Sequence, residues 1–165
     1  MTKKNYENFP LSLALFDALP VLFFCISMIL IGVNYKNTVF MIGAVLCTLA
    51  GVGKVVWKII IAGTRKDIVI LNRQMRVIMP IGFLCIIIGT VMGAVAGNID
   101  TGVLMAGILS FPSALFFAVT IIGMICMMVF AVKLDSTKIA SNWIEQITNA
   151  IAQGCLLLGI LNMIV

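Results

Sequence analysis

Four charged side chains stand inside long apolar stretches of this sequence, and they are the residues best placed to do chemistry. Two are acids, Asp17 and Glu145, and two are bases, Lys54 and Lys58. A charge inside hydrocarbon is costly, so such residues usually face a partner or a wet cavity and often mark a solute or proton pathway. Their charges sum to zero, which favours ion pairs among them.

The last apolar stretch adds amide side chains next to Glu145. Polar residues recur there at spacings of three and four, which places them on one helix face: Asn142, Glu145, Gln146, Asn149 and Gln153. Such a stripe should face protein or water rather than lipid. The sequence therefore predicts a substrate-binding pocket built from Asp17, Lys54, Lys58, Glu145, Asn149 and Gln153.

These residues also have plainer interpretations. Lys58 can snorkel its ammonium group to the lipid headgroups. Asn142 with Glu145 fits a capping box at the start of a helix. Asp17 can be a purely structural partner of Lys54, and the amide residues can simply hydrogen-bond neighbouring helices.

Composition places all of these residues in a membrane protein. The chain has 165 residues, of which 62% are hydrophobic and 10% charged, whereas a soluble domain is nearer half apolar and a quarter charged. We therefore predict one membrane-embedded domain over residues 1–165. The net charge of +5 does not indicate nucleic-acid binding, because the basic residues stand in short loops beside anionic headgroups.

The sequence also argues against most enzyme classes. It contains no histidine, which removes bis-histidine haem ligation, histidine-containing zinc sites and Ser-His or Cys-His pairs. Its five cysteines include no C-x-x-C pair, so disulfide exchange is not expected. We expect no metal and no cofactor. A lipid-acting enzyme is the least favoured function, since two lone carboxylates match a metal site poorly.

Five stretches are long enough to cross a bilayer, because a helix needs about 20 apolar residues to do so. The predicted fold is all-α, a bundle of five transmembrane helices with bends at Pro20 and Pro112. The longest connection, 63–76, is predicted to form a short interfacial helix. The predicted spans are 11–33, 38–62, 77–97, 103–132 and 140–165.

Positive charge predicts the direction of the chain. One side holds nearly all basic residues, whereas the other side holds only Lys36. The positive-inside rule therefore predicts a cytoplasmic N-terminus and an outside C-terminus in a multi-pass protein of the cell membrane, which we take to be a bacterial plasma membrane. The basic residues on the cytoplasmic side are Lys3, Lys4, Lys58, Arg65, Lys66, Arg73, Arg76, Lys133 and Lys138.

The four intramembrane charges then lie in the cytoplasmic half of the membrane. Helical rise places Asp17 roughly 10 Å and Lys54 roughly 13 Å from the cytoplasmic ends of their helices. Lys58 and Glu145 are shallower, at about 7 Å. Matching these depths predicts two ion pairs, Asp17 with Lys54 and Glu145 with Lys58.

Small residues predict where helix backbones approach closely, because tight packing holds helices together in lipid. The third and fourth spans both carry small residues four apart, which predicts an intimate antiparallel pair, or a subunit interface built from either stripe. These residues are Gly89, Gly93 and Gly97 in the third span and Ala106, Ser110 and Ala114 in the fourth, and the second span adds Gly43, Cys47 and Gly51.

Two functions follow from these patterns. The first is a small transporter or channel-like protein whose cytoplasm-facing pocket takes a polar or anionic solute, with proton coupling through its carboxylates. With five short spans, such a protein would need a homo-oligomer to complete its pathway. The second is a non-catalytic accessory subunit that binds a partner membrane protein through small-residue helix faces. Membrane lipids are expected partners in both cases.

Overall fold

The computed structural model describes residues 10–65, 67–135 and 137–164, and these ranges are helical without any strand. Of the residues used to predict orientation, Lys3, Lys4 and Lys66 lie outside the described residues, as does Val165 at the predicted end of the fifth span. The helices of the described ranges are α1 Leu11–Phe16, α2 Ala18–Tyr35, α3 Thr38–Thr64, α4 Val69–Val95, α5 Thr101–Leu109, α6 Ser113–Lys133 and α7 Ile139–Ile164.

Five segments of the described chain are long and apolar enough to cross a membrane, which confirms the predicted all-α fold with five spans. They are α1 together with α2, followed by α3, α4, α6 and α7. The chain is therefore a multi-pass membrane protein. The cytoplasmic location of its N-terminus stays a prediction.

The first span is interrupted at Asp17, three residues before the proline that was expected to bend it. Pro20 is the third residue of α2, where a missing backbone N–H is tolerated because the first turn has no intrahelical acceptor. Pro20 also gives the Phe16 carbonyl no donor, and α1 ends at Phe16. The proline thus sets the position of the break, and Asp17 lies in that break.

The predicted span 103–132 is two helices, because the chain breaks before Pro112. Ser110 is extended, with φ −69° and ψ 148°, and the proline ring disfavours helical geometry in the residue before it. The short α5 begins at Asp100, whose side chain accepts hydrogen bonds from the backbone N–H groups of Gly102 and Val103. Only α6 of this pair is long enough to cross the membrane.

Two helix starts also differ from the predictions. The segment 63–76 is not a separate interfacial helix: it divides among the end of α3, a connection, and the first two turns of α4. Asn142 does not begin a helix, since α7 starts at Ile139 and the Asn142 amide nitrogen donates to the Lys138 carbonyl oxygen at 2.8 Å. The capping-box interpretation of Asn142 is therefore wrong.

Neighbouring helices follow the order α4, α3, α2, α7, α6, with α1 against both α3 and α7. The glycines of α4 therefore do not face the fourth span, and the predicted antiparallel pair is wrong. Gly89 lies against the Phe40 backbone of α3, and Gly93 lies against Ile99 in the following turn. Gly97 occupies that turn with φ +73°, a conformation that glycine adopts without strain.

The small residues of the fourth span also lie elsewhere than predicted. Ala106 and Ser110 are exposed, and Ala114 is half-buried in the first turn of α6. All of α5 is described, and none of its residues is buried. A stripe of small residues permits close approach but does not name the neighbour, which explains the wrong pairing.

The closest backbone approach in the bundle joins α3 to α4 at Gly43 and Gly82. A Cβ atom on Gly43 would lie 2.5 Å from the Gly82 carbonyl oxygen and 2.7 Å from the Ile86 nitrogen. Both of those atoms belong to the backbone and cannot rotate away. The Cys47 thiol lies in the same contact and donates to the Met79 carbonyl oxygen at 3.7 Å.

We predict that Gly43→Ala lowers the free energy of unfolding by about 1–3 kcal/mol, the usual effect of overpacking a tight contact. Gly63→Ala is the matched control, because a Cβ atom there meets nothing within 4 Å. That control should leave stability unchanged or raise it slightly, since alanine favours helix. Denaturant titration of both variants in detergent micelles measures the difference, and equal stability would refute the close approach.

Candidate functional site

Asp17 and Lys58 form an ion pair inside the bundle. The Lys58 Nζ atom lies 3.1 Å from Asp17 Oδ2, and the two side chains are 2% and 4% exposed, respectively for Lys58 and Asp17. The pair joins the break in the first span to α3. Lys58 therefore does not snorkel to the headgroups, as one interpretation of the sequence proposed.

The other two charged residues lie around this pair. Lys54 stands one turn before Lys58 on α3, and Glu145 approaches from α7. Both act electrostatically on the Lys58 ammonium group, and both are half-buried. The structure thus brings all four predicted residues together, and we call Asp17, Lys54, Lys58 and Glu145 the charge cluster.

The predicted partners within the cluster were wrong. Asp17 pairs with Lys58 rather than with Lys54, and Lys58 has Asp17 rather than Glu145 as its ion-pair partner. Matching depths separates residues along a helix axis, but it leaves open which way each side chain points around that axis. The depths of Lys54 and Lys58 differ by one turn, about 5 Å, which the long lysine stem can cover.

The ion pair leaves much of the hydrogen-bonding capacity of Lys58 unused. In the described part of the chain, neither Lys58 Nζ nor Asp17 Oδ2 has a partner with the geometry of a hydrogen bond. Their 3.1 Å contact is therefore an ion pair by distance alone. An ammonium group offers three N–H donors, so this site can accept a further ligand with oxygen acceptors.

The amide stripe of α7 lies beside the charge cluster. The Phe16 ring is 5.5 Å from the Trp143 ring, measured between centroids, which holds the first turns of α7 against the break in the first span. Gln146 follows one turn later and is 0% exposed. Neither its amide oxygen nor its amide nitrogen has a partner among the described residues.

The two predicted amide ligands lie deeper along α7. Asn149 is half-buried. Gln153 is buried, and its nitrogen lies 3.6 Å from the Met124 sulfur of α6. The expected hydrogen bonding to a neighbouring helix is thus present on one side of Gln153, whereas its Oε1 atom has no partner in the described ranges.

Three buried polar residues were not predicted as site residues. Gln146 was in the amide stripe but looked no different from its neighbours, because a sequence does not give the burial of each member. Ser27 and Ser113 are both 0% exposed with unpartnered hydroxyls within the described chain. Nothing in their sequence context marks a serine in an apolar run as buried.

The described residues include no group of three or more His, Cys, Asp or Glu side chains arranged to hold a metal ion. No protein-family model, no curated protein and no solved structure matches this chain. The chemistry of the site therefore has to be argued from its own residues.

We predict strong coupling between Asp17 and Lys58 in a double-mutant cycle. Lys58→Met should lower the free energy of unfolding by about 3–5 kcal/mol, because it leaves a buried carboxylate without a counter-charge. Adding Asp17→Leu should recover most of that loss, since two apolar side chains can replace a buried ion pair. Denaturant titration in micelles gives the three values.

Lys54→Met serves as the control for removal of a lysine from the same helix. It should change stability by less than about 1 kcal/mol, because Lys54 is half-buried and makes no comparable contact. Strictly additive effects of Lys58→Met and Asp17→Leu would contradict the ion pair.

Proposed function

We propose that this protein is a small transporter or channel-like protein of the plasma membrane, of the bacterial type, and that its charge cluster binds a polar or anionic solute from the cytoplasm. One observation carries the proposal: Lys58 is buried with a single carboxylate beside it and with N–H donors to spare. A buried cation with free donors is a natural binding site for an anionic group.

Stability alone gives little reason to keep such a pair. Desolvating two charges is expensive, and well-packed apolar residues of similar volume often do as well or better. Charged residues inside membrane spans are accordingly found mostly on solute and ion pathways. The burial of both Asp17 and Lys58 therefore supports a functional role for the cluster.

The charges of the cluster suggest how solute and proton can be coupled. The half-buried Lys54 and Glu145 form its more accessible side, so an anion would meet Lys54 first and Lys58 second. Binding at Lys58 competes with Asp17 for the same ammonium group. If Asp17 takes up a proton, Lys58 is released to the anion, and the cluster stays neutral with one proton and one negative charge added.

The arrangement of helices supports a pathway shared between two copies of the chain. The order α4, α3, α2, α7, α6 leaves α4 and α6 at opposite ends of a row. Within α6, all of which is described, the buried residues are Ser113 and Thr120. A single row of five helices encloses little space, so we propose that a homo-oligomer completes the route.

We predict that the purified protein carries small anions bound at the charge cluster. Native mass spectrometry from micelles, in the presence of phosphate, acetate and succinate in turn, should detect a bound adduct on the wild-type chain. Lys58→Met and Lys54→Met should each reduce adduct occupancy by about tenfold or more, which corresponds to loss of one charged hydrogen bond.

Lys133→Met is the matched control, because Lys133 is an exposed lysine in the last turn of α6, away from the cluster. It should leave occupancy unchanged. Adducts that persist in Lys54→Met, which is not needed for the buried ion pair, or adducts that are lost equally in Lys133→Met would contradict the proposal.

A second candidate function is an accessory subunit, and α5 favours it. This short helix buries none of its residues, and Val103, Leu109 and Phe111 beside it are 69%, 70% and 86% exposed. Ala106 and Ser110 present small side chains there. Such a surface suits contact with the helix of a partner membrane protein.

We predict from this alternative that a photo-crosslinking residue at Ala106 gives one product of discrete mass in intact membranes. The same residue at Ile122, which is 61% exposed in the middle of α6, should give none if that face meets lipid. Gel mobility and mass spectrometry of the products distinguish the two cases. Equal labelling at both positions, or none at Ala106, would count against an accessory role.

A further inference from the structure

Buried polar groups continue beyond the charge cluster, along the contacts of α7 with α2 and α6. Four side chains share two properties: each is at least nine-tenths buried, and each has a polar atom without a partner among the residues described. We call these residues the polar seam: Gln146, Gln153, Ser27 and Ser113.

The first part of the seam follows α7. Gln146 and Gln153 are two turns apart on the same face, about 10 Å along the axis, and the half-buried Asn149 lies between them. Gln146 is next to Glu145, so the seam begins at the charge cluster. The contact of Gln153 with Met124 turns the second amide toward α6.

The second part of the seam comes from α2. Phe16 contacts Trp143, and the Phe23 ring lies 3.4 Å from where a Cβ atom of Gly154 would be. These two phenylalanines therefore mark the face of the first span that meets α7. Ser27 follows Phe23 by four residues on that face, which places its hydroxyl one turn beyond the level of Gln153.

The third part of the seam is at the far end of α6. The Thr120 hydroxyl bonds to the Ala152 carbonyl oxygen at 3.1 Å, which ties α6 to α7 at the level of Gln153. Ser113 lies two turns further from the cluster, about 10 Å away. The seam thus leads from the charge cluster toward the opposite end of the bundle.

Unpartnered polar atoms buried in a membrane protein are expensive, and an apolar side chain would be cheaper at each of these positions. Buried water is the usual partner of such atoms, and each water makes two to four hydrogen bonds. Amides and hydroxyls both donate and accept, so they can hold a continuous file of water without adding charge.

We propose that the polar seam holds a file of water molecules that conducts protons between the far end of α6 and the charge cluster. A hydronium ion at the cluster end gives its proton to the Asp17 carboxylate, which leaves a neutral carboxylic acid and one water. The charged groups facing Asp17 there are Lys58 and Lys54 from α3 and Glu145 from α7. This inference rests on the proposed function and supplies the proton that its coupling requires.

The test is proton flux into proteoliposomes that contain a pH-sensitive dye, driven by a potassium potential with valinomycin. Gln146→Leu and Gln153→Leu should each lower the flux of the wild-type protein by roughly tenfold or more, because an apolar side chain interrupts the water file. Asn162→Leu on the same helix is the control, since Asn162 is exposed and lies off the seam. It should leave the flux unchanged.

A second measurement detects the water directly and does not depend on transport. Hydroxyl radicals generated in water should oxidise Met124 beside Gln153 in the folded wild-type protein, and this labelling should fall in Gln153→Leu. Met28 is the internal control, because it packs with Phe40 and Ala44 in the apolar core. It should be labelled weakly in both proteins.

The outcomes separate the two proposals. Proton flux that is lost in both glutamine variants, with Met124 labelled more than Met28, supports the water file. Flux that is unchanged in those variants, or a Met124 as unlabelled as Met28, overturns it. If the wild-type protein carries no protons but still binds anions through Lys58, the water file fails and the proposed function stands; if it does neither, both fail.

Discussion

The desolvated ion pair between Asp17 and Lys58 is the constraint on which the cytoplasmic half of the proposed topology depends. Neither charge is tolerable alone in an apolar bundle, so the break in the first span has to lie against α3 at Lys58. The Phe16–Trp143 contact then brings α7 to the same place. Three of the five spans thus share one polar centre.

The two sides of the bundle are held together by different physics. On the α3–α4 side, glycines let backbones touch, and the attraction is dispersion between closely packed atoms. On the α6–α7 side, a threonine bonds to a carbonyl oxygen and a glutamine contacts a methionine sulfur. The rigid side can serve as a frame, whereas the polar side has groups that water or a solute can engage. The charge cluster lies where α2 and α3 join these sides.

Local signals in the sequence were sufficient for the spans, and they failed where three-dimensional direction matters. Twenty apolar residues report a membrane helix without reference to any neighbour, and all five spans were found. The gathering of four charges was also predictable, because each needs a partner. The choice of Lys58 over Lys54 was not, since it depends on rotation about α3 and on the break that Pro20 causes. Likewise Gly89 permits close packing, but its sequence does not say that the neighbour is Phe40.

The separation of Asp17 and Lys58 along the chain has a consequence for biosynthesis. During translation the first span emerges with an acid in its apolar run, and its counter-charge is made only near the end of the second span. A lone aspartate opposes entry into lipid. We therefore expect the first span to wait at the insertion machinery until α3 arrives, so that the two enter the bilayer together as a helical hairpin whose charges neutralise each other.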